Sequence, residues 1–464
     1  MKLFDIIKSK AYPDGLYFIN EDGIFTRDDF IVSYNKIYEI LNVSNTTVAL
    51  IQEDNYLTIV ACLILWERNN CVVLINGEMP ESVIVKQIED SHAVYTVRTS
   101  KEGSLHPILN PIQHIDYYEK NEILVLYSSG TTNIPKGIVL GKRQIEEMVE
   151  LVYENMSLND HDVLYISRRF TTASAFIGEL LVCIRAGIGC CIYKSQRISR
   201  TALFSRFSIN KVSIWCTNQS LLNILIRSEK QSNILEIPKY LRKIYISGSV
   251  VNVDRLIQQK AYFRQVEIIN LYGMTEAGLR IAGEQRDSEI GSVGKPFSGI
   301  CVRVVDPKLK DVAKGIKGEI LVKSPYCMKR YTNAQAPFIT IDDEKWLKTN
   351  DVGYWGVNGD LYVCGRNDDT VVVNGNNINL TTVENVILST INELLDCTVL
   401  PHQDKAGIDF LICYYKAADE ISSMEFREKL SEQLAEYEIP KLYFLTQQLP
   451  MTASGKKRRE NISD

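Results

Sequence analysis

The residues best suited to chemistry lie in one loop between two short apolar runs, Ile123 to Leu126 and Ile138 to Leu140. Hydroxyl groups, unhindered backbone N–H groups and an ammonium suit a polyphosphate, whose oxygens are anionic acceptors. The alternative is an ordinary polar hairpin loop, because small polar residues are common in such loops. The standard mononucleotide loop is excluded, since it needs Gly-Lys-Ser/Thr at the start of a helix. The polar residues of the loop are Ser128, Ser129, Gly130, Thr131, Thr132 and Lys136.

The whole loop has a close counterpart in a known group of enzymes. Tyr127 to Gly137, Tyr-Ser-Ser-Gly-Thr-Thr-Asn-Ile-Pro-Lys-Gly, closely resembles the phosphate-binding loop of the adenylate-forming superfamily. These are the acyl- and aryl-CoA synthetases, the nonribosomal adenylation domains and the luciferases. Asn133 stands where the family usually has Gly, and Asn tolerates left-handed backbone angles better than most residues. The resemblance implies that the loop holds the phosphates of ATP.

A second motif, Ile-Ile-Asn-Leu-Tyr-Gly-Met-Thr-Glu at 268–276, matches the Tyr-Gly-x-Thr-Glu element of the same family. The resemblance implies that Tyr272 stacks on adenine and that Thr275 bonds the α-phosphate. Glu276, with Thr131, is expected to hold Mg²⁺, because a carboxylate oxygen is a hard ligand suited to this ion. Other residues assigned to the nucleotide site are Gly248, Ser249, Asn270, Gly273 and Met274.

A third set of matches predicts the ribose site and a hinge. Asp351 and Arg366 are the family residues expected to bind the ribose hydroxyls, although Asn350 replaces the usual Gly. Asp368 matches the hinge residue. We therefore predict a large adenylation domain over 1–365, a hinge at 366–369 and a small domain over 370–464.

Two segments of the small domain are expected to serve successive steps. Gly375 and Asn377 lie in the segment that resembles the family's thiolation element, although Asn377 stands where Arg or Gln is usual. Leu-Pro-Met-Thr-Ala-Ser-Gly-Lys-Lys-Arg-Arg at 449–459 resembles the closing motif. There, the Lys after the Gly reaches the nascent adenylate, which assigns catalysis to Lys456, with Thr275 and Glu276. Lys457 is the alternative if the register shifts by one.

The acid-binding pocket is predicted from register alone. Counting back from Gly187, the position that pairs an α-ammonium in amino-acid-activating relatives falls at Ala173 or Ser174, where no carboxylate stands. An unpaired buried ammonium is costly, so an aryl or fatty acid is favoured over an α-amino acid. Arg168 and Arg169 either pair an anionic substituent or face water. The predicted pocket residues are Phe170, Thr172, Ser174, Ser247 and Gly273.

Composition and periodicity predict an α/β protein. The 464 residues are 45% hydrophobic and 23% charged, enough for two or more globular domains. Alternating strand-like and helix-like stretches in the first half predict parallel sheets covered by helices. Residues 290–331 are expected to shape a small antiparallel unit, and 384–464 a small, mobile α+β domain with a helix from Met424 to Tyr437.

Charge and hydropathy limit the classes of partner. The net charge of −5 gives no reason to expect nucleic acid. The longest apolar run, near Ile59 to Trp66, is far short of a membrane span, and the start lacks the apolar core of a signal peptide. Eleven scattered cysteines are interpreted as buried thiols in a reducing compartment. We therefore expect a cytoplasmic protein without a membrane partner or a structural metal.

The function predicted on these grounds is ATP- and Mg²⁺-dependent activation of a carboxylic acid, followed by thioester formation with CoA. A second hypothesis is a stand-alone enzyme that loads the acid onto the phosphopantetheine of a carrier protein. The third is a catalytically degenerate nucleotide-binding or scaffold protein. The identity of the acid, the choice of acceptor and the oligomeric state stay open at this point.

Overall fold

The computed structural model describes residues 2–99, 105–110, 118–128, 136–193, 199–227, 236–373, 376–403, 409–450 and 457. Twelve α-helices are assigned among these residues, and a π-helical turn at Phe176–Leu180 joins the sixth and seventh. The helices are α1 Leu3–Ser9, α2 Arg27–Tyr38, α3 Asn55–Glu67, α4 Glu81–Asp90, α5 Lys142–Met156, α6 Ala173–Ala175, α7 Leu181–Ala186, α8 Arg200–Ile209, α9 Gln219–Arg227, α10 Val253–Tyr262, α11 Leu380–Thr390 and α12 Ser423–Leu430.

A nine-stranded sheet has the order β15-β14-β13-β12-β11-β9-β10-β1-β2. Its strands are β1 Tyr17–Asn20, β2 Gly23–Thr26, β9 Val163–Ile166, β10 Gly189–Cys191, β11 Ile214–Thr217, β12 Lys243–Ile246, β13 Glu267–Tyr272, β14 Ala282–Gly283 and β15 Lys295–Pro296. The central strands from β13 to β1 are parallel. Their carboxyl ends therefore share one edge, where ligands bind in open α/β sheets.

A seven-stranded sheet has the order β18-β8-β7-β4-β3-β5-β6. Its strands are β3 Thr47–Gln52, β4 Cys71–Asn76, β5 Tyr95–Arg98, β6 Ile108–Leu109, β7 Glu122–Ser128, β8 Lys136–Gly141 and β18 Arg330–Tyr331. Strands β7 and β8 form an antiparallel hairpin in which Ser128 pairs with Lys136. The polar loop identified from the sequence thus connects two paired strands.

The antiparallel unit is a five-stranded sheet of the order β16-β17-β20-β19, with β21 paired to β20. Its strands are β16 Cys301–Val305, β17 Gly318–Lys323, β19 Phe338–Ile341, β20 Glu344–Trp355 and β21 Leu361–Arg366. The last part of the chain adds a two-stranded and a three-stranded sheet, with β22 Thr370–Val373, β23 Asn376–Asn379, β24 Asp396–Gln403, β25 Asp409–Lys416 and β26 Leu442–Leu445.

Burial explains why the long helices pack where they do. Every residue of α3 from Thr58 to Trp66 is buried, and the Asp54 side chain caps the helix by accepting a hydrogen bond from Leu57 N. A helix that is apolar on all sides must be covered on all sides. The largest apolar cluster accordingly joins α3, α5 and α7 with strands of both large sheets. The residues after 370 form a separate cluster around Ile387, Cys413 and Phe426.

The α/β fold class predicted from the sequence is confirmed, including the antiparallel unit and the smaller α+β part that follows it. The predicted domain bounds, and the mobility of the small domain, stay predictions. The predicted helix from Met424 to Tyr437 is wrong in length, because α12 ends at Leu430. Residues 431–433 are exposed and polar, so no apolar face continues the helix. No helix in the described ranges is long and apolar enough to span a bilayer.

Candidate active site

A cation and a carboxylate from the two large sheets meet around one tyrosine. Lys136 Nζ, at the start of β8, lies 5.4 Å from the centre of the Tyr331 ring. The Tyr331 hydroxyl donates to Glu276 Oε1 at 3.1 Å. The last residue of one predicted motif therefore lies beside the lysine of the other. Ser129, Gly130, Thr131 and Thr132 lie outside the described residues, as does the side chain of Ser128.

Tyr331 is a site residue that the sequence analysis did not assign. It belongs to a two-residue strand, paired with Ile138 on β8, which is too short for any periodic signal. Burial, and then the Glu276 carboxylate, raise the pKa of Tyr331, so that the phenol stays a neutral donor. One face of Glu276 is thus held by the protein. A single carboxylate supplemented by phosphate oxygens and water is a donor set that suits Mg²⁺.

The turn after β13 is built on a glycine. A Cβ at Gly273 would lie 1.7 Å from Leu279 O, so no other residue fits without moving the backbone. The requirement for Gly273 thus comes from internal packing as well as from the predicted approach of the nucleotide. Thr275 opens a 3₁₀ turn, and its hydroxyl has no hydrogen-bond partner within the described part of the chain. Met274 before it is partly buried.

The predicted ribose residues lie together, with Asp351 buried and Arg366 half-buried. Asp351 and Arg366 are paired residues on β20 and β21. The Tyr272 hydroxyl donates to Asp351 Oδ2 at 2.6 Å. Burial, and then Asp351, raise the pKa of Tyr272 well above its usual value, so this donor stays protonated. Asn350 has φ of +63°, the left-handed region, which explains why Asn can replace the Gly of the family there.

Other predicted nucleotide residues have different environments. Gly248 has φ of +94° and faces open space, and Ser249 beside it is exposed. Both therefore lie on an open edge of the site. Asn270 is buried instead, with its side-chain amide donating to Ser292 O at 3.0 Å. That amide is committed to the fold.

Arg168 joins three neighbouring strand ends. It follows β9, and its guanidinium donates to Ser174 Oγ at 3.0 Å, to Thr217 O at 2.5 Å and to Ser247 O at 3.1 Å. Arg168 thereby connects two predicted pocket residues, Ser174 and Ser247. Arg168 is half-buried, and its guanidinium is hydrogen-bonded to the protein.

The remaining residues predicted for the acid pocket have structural contacts. Phe170 is buried and lies 6.2 Å from Phe176, ring centre to ring centre, within the apolar core. The Thr172 hydroxyl donates to Arg169 O at 2.8 Å. Arg169 itself forms an ion pair with Glu78 at the surface. Arg169 therefore does not share the position of Arg168.

Two surface grooves lie away from this edge of the sheets. One is lined by Tyr17, Ile24 and Ile209, and the other by Lys142 and Lys329. Neither contains a residue predicted for the nucleotide or the acid. The site is therefore defined by convergence of side chains rather than by either groove.

Glu179, on the π-helical turn that follows α6, is a buried carboxyl group. Burial raises the pKa of Glu179 to about 7, against the opposing effect of Arg168 and Arg280. The folded protein therefore holds this proton more tightly than the unfolded chain does. The stability that comes from protonated Glu179 is fully present below about pH 4.5 and is lost as the pH rises towards about 7.

Replacing Glu179 by glutamine should remove this loss. We expect Glu179→Gln to match the wild type at about pH 5 and to exceed its free energy of unfolding by up to about 3 kcal/mol at about pH 8. Urea denaturation at both pH values measures the difference. A constant difference between the two proteins across this range would show that Glu179 does not titrate there.

Residues before and after the predicted hinge form polar contacts with it or with its flanking strand. Arg366 Nη2 lies 3.3 Å from Asp368 Oδ2, within the 3₁₀ turn Asn367–Asp369. Asn379, which caps α11, donates to Arg366 O at 3.2 Å. Thr381 Oγ1 donates to Asp369 Oδ2 at 2.6 Å. Gly375 lies outside the described residues, as does the side chain of Asn377.

The closing motif holds two candidate catalytic lysines, Lys456 and Lys457. Lys456 lies outside the described residues. Lys457 Nζ lies 3.1 Å from both Glu384 Oε2 and Asp396 Oδ1, two buried carboxylates of the small domain. Lys457 therefore has a structural role in this arrangement.

Comparison with known proteins adds an independent finding. Residues 111–332 match the family model described as AMP-binding enzyme. The chain is 23% identical over 473 residues to a 2-succinylbenzoate–CoA ligase of Enterococcus faecalis, covering 96% of this chain and 94% of that protein. It is 24% identical to gramicidin S synthase 2 of Brevibacillus brevis, covering 94% of this chain and 10% of that protein.

The fold has counterparts among solved structures. An o-succinylbenzoate CoA synthetase from Bacillus subtilis, in complex with its acyl-adenylate, superposes with a TM-score of 0.81 at 22% identity, covering 100% of this chain and 98% of that one. At this identity the likeness establishes the fold.

The motifs, the fold and the match of residues 111–332 to the AMP-binding enzyme model together make this chain similar to the adenylate-forming enzymes, the class that its sequence predicts. Within that superfamily, the relatives that match this chain over nearly their whole length include proteins named as CoA ligases.

Proposed function

We propose that this chain activates an aryl or acyl carboxylic acid with ATP and then transfers the acyl group to CoA. The observation that carries the proposal is the convergence of Lys136 and Glu276 around Tyr331, close to the group of Tyr272, Asp351 and Arg366. Polyphosphate and ribose of one nucleotide need these two groups of donors and acceptors side by side.

The first step joins the acid to AMP. A carboxylate oxygen forms a bond to the α-phosphorus of ATP, the bond to the β-phosphate oxygen breaks, and pyrophosphate leaves. Such a transfer needs positioning and charge stabilisation more than covalent help from the protein. Lys136 is proposed to neutralise the leaving pyrophosphate, and Glu276 to hold Mg²⁺, which would supply further positive charge at the phosphates. Thr275 is proposed to donate its free hydroxyl to the α-phosphate.

The second step is thioester formation. The thiol sulfur forms a bond to the acyl carbon, the acyl C–O bond breaks, and AMP leaves with that oxygen. We propose that the small domain turns about Asp368 between the steps, which brings the segment of Gly375 and Asn377 to the site. Lys456 would act in adenylate formation, before the small domain turns.

The acid is proposed to lack an α-amino group. Ser174 stands where an ammonium would need a carboxylate, and its hydroxyl accepts a hydrogen bond from Arg168. Burial raises the pKa of the nearby Glu179 carboxyl to about 7, and Arg168 and Arg280 act against that rise. A cationic substrate group would therefore meet positive charge in the pocket.

CoA is the favoured acceptor because the relatives that match this chain over nearly their whole length are named as CoA ligases. The match to gramicidin S synthase 2 covers a tenth of that protein, so loading of a carrier protein is the second candidate. We propose the cytoplasm as the location, as the sequence predicts.

Pyrophosphate release over a panel of carboxylic acids tests the proposal. At least one aryl or acyl acid should give ATP-dependent release that requires Mg²⁺, and α-amino acids should give none. The reaction repeated with CoA, and with a phosphopantetheinylated carrier protein, identifies the acceptor from the thioester formed. A protein that binds ATP but releases no pyrophosphate with any acid would support the degenerate alternative.

A further inference from the structure

Asp90, the last residue of α4, accepts hydrogen bonds from two hydroxyl groups of other segments. The Tyr127 hydroxyl donates to Asp90 Oδ2 at 2.6 Å, and the Thr332 hydroxyl donates to the same oxygen at 2.7 Å. A hydrogen bond to an ionised carboxylate is about twice as strong as one between neutral groups. Asp90 therefore joins three parts of the chain, which are α4, strand β7 and the residue that follows β18.

The position of Asp90 does not stabilise α4 itself. The carboxyl end of a helix carries partial negative charge, which disfavours an acidic side chain in the last turn. The last turn of α4 also holds no basic residue that would offset this effect. The contacts with Tyr127 and Thr332, rather than the helix, therefore account for an acid at this position.

Both contacts lie at the base of the predicted phosphate loop. Tyr127 on β7 and Gly137 on β8 are paired residues, and Ser128 with Lys136 is the last described pair before the loop. Thr332 N donates to Gly137 O at 2.8 Å. A Cβ at Gly137 would lie 2.5 Å from Thr332 Oγ1, so the threonine side chain packs directly on the glycine backbone. One carboxylate oxygen thus holds both strands of the hairpin, β7 directly and β8 through the threonine.

The hairpin base bears on phosphate binding through entropy and through Lys136. A loop that is ordered only when its ligand binds costs conformational entropy at that step. Tyr127 is suited to fix the base, since burial, and then Asp90, raise the pKa of its phenol and keep the hydroxyl protonated. Lys136 directly precedes Gly137, so a displacement of β8 at Gly137 would also move the ammonium that is expected to bind phosphate.

We propose that Asp90 is a positioning residue for the polyphosphate of ATP, which it serves by fixing Tyr127 and Thr332 at the base of the loop. In this role Asp90 contacts the hairpin and not the nucleotide. The inference rests on the proposed function, in which the loop holds the phosphates beyond the α-phosphate. Binding of ATP then depends on Asp90, whereas binding of AMP, which lacks those phosphates, does not.

Calorimetric titration of the full-length protein with Mg·ATP and with AMP tests this role. Asp90→Ala removes the acceptor of two hydrogen bonds, so we expect it to weaken ATP binding by about tenfold or more. AMP binding should weaken by less than about threefold, which also shows that the variant is folded. Glu89→Ala, which removes an exposed carboxylate from the neighbouring residue of α4, is the matched control and should change neither affinity.

The sign of the effect distinguishes positioning from simple charge repulsion. A carboxylate that acted only through its charge would repel a polyphosphate, so its removal would tighten the binding of ATP. Tighter or unchanged binding of ATP to Asp90→Ala would overturn the inference, and so would equal weakening of ATP and AMP.

Thr332→Val provides a second test, which also applies if Asp90→Ala does not fold. Valine is similar in shape to threonine but cannot donate to Asp90, so one of the two hydrogen bonds is lost. We expect ATP binding to weaken by about threefold to fivefold, with AMP binding unchanged. An unchanged affinity for ATP in this variant would contradict the role of Asp90.

Binding measurements separate this inference from the proposed function. If no acid releases pyrophosphate, the proposed activation fails, yet ATP binding that depends on Asp90 more than AMP binding does would still support the inference. Pyrophosphate release by the wild type, with equal ATP affinity in Asp90→Ala, would keep the function and overturn the inference. A wild-type protein that binds no ATP would overturn both.

Discussion

Replacing Lys456 by alanine should lower the rate of adenylate formation by about two to three orders of magnitude. Losing one preorganised contact to the charge that develops at phosphorus typically costs about 3–4 kcal/mol of barrier. ATP should still bind, because Lys136 and Asp351 belong to the predicted large domain. Single-turnover formation of the acyl-adenylate, with ATP binding followed separately, measures the effect.

Lys457→Met is the matched control that tests the register of the closing motif. Lys457 pairs with the buried carboxylates Glu384 and Asp396, so its loss should cost about 3–5 kcal/mol of stability of the small domain. The remaining folded protein should still form the adenylate. A normal rate for Lys456→Ala, together with a lost rate in folded Lys457→Met, would move the catalytic role to Lys457.

Asp368→Pro should stop thioester formation and spare adenylation. Proline fixes φ near −65°, so residue 368 could no longer take a second set of backbone angles. We expect the rate of thioester formation from preformed adenylate to fall by about two orders of magnitude or more, equivalent to about 2.7 kcal/mol. Separate measurements of pyrophosphate release and of thioester formation distinguish the two half-reactions.

Contacts between the two parts of the chain show what a rotation would have to break. Arg255, on α10, is buried and donates to Leu394 O at 2.9 Å and to Leu395 O at 2.7 Å. Asn252 donates to Asn385 O and to Ser389 Oγ, each at 2.9 Å. Asp368→Ala keeps the backbone free and should retain both half-reactions. Equal loss of adenylation and thioester formation in Asp368→Pro would count against the rotation.

Much of the fold could be predicted from the sequence because its signals are local. Apolar runs such as Cys71–Asn76 mark buried strands, and the helical pattern of Ile145, Met148 and Val152 marks α5 correctly. The C-terminal helix was predicted too long because helix-forming residues continue past Leu430. Residues 431–433 are polar and exposed, so no buried face continues the helix past Leu430.

The site could be predicted only where a motif carries it. Tyr272 and Asp351 were assigned from motifs, but their hydrogen bond joins residues 79 positions apart. Tyr331 ends a stretch to which no site role was assigned, and its importance depends on its contacts with Lys136 and Glu276. Such residues become visible only when packing and charge are known.

The proposed attack of a carboxylate on the α-phosphate of ATP is tested most directly by following an ¹⁸O label. An activated acid, labelled with ¹⁸O in its carboxyl group, is converted completely to the thioester with ATP, Mg²⁺ and CoA, and the nucleotide product is analysed by mass spectrometry. Attack of the carboxylate on the α-phosphate predicts AMP that carries one labelled oxygen. Unlabelled AMP, or ADP with the label in inorganic phosphate, would contradict adenylate formation at this site.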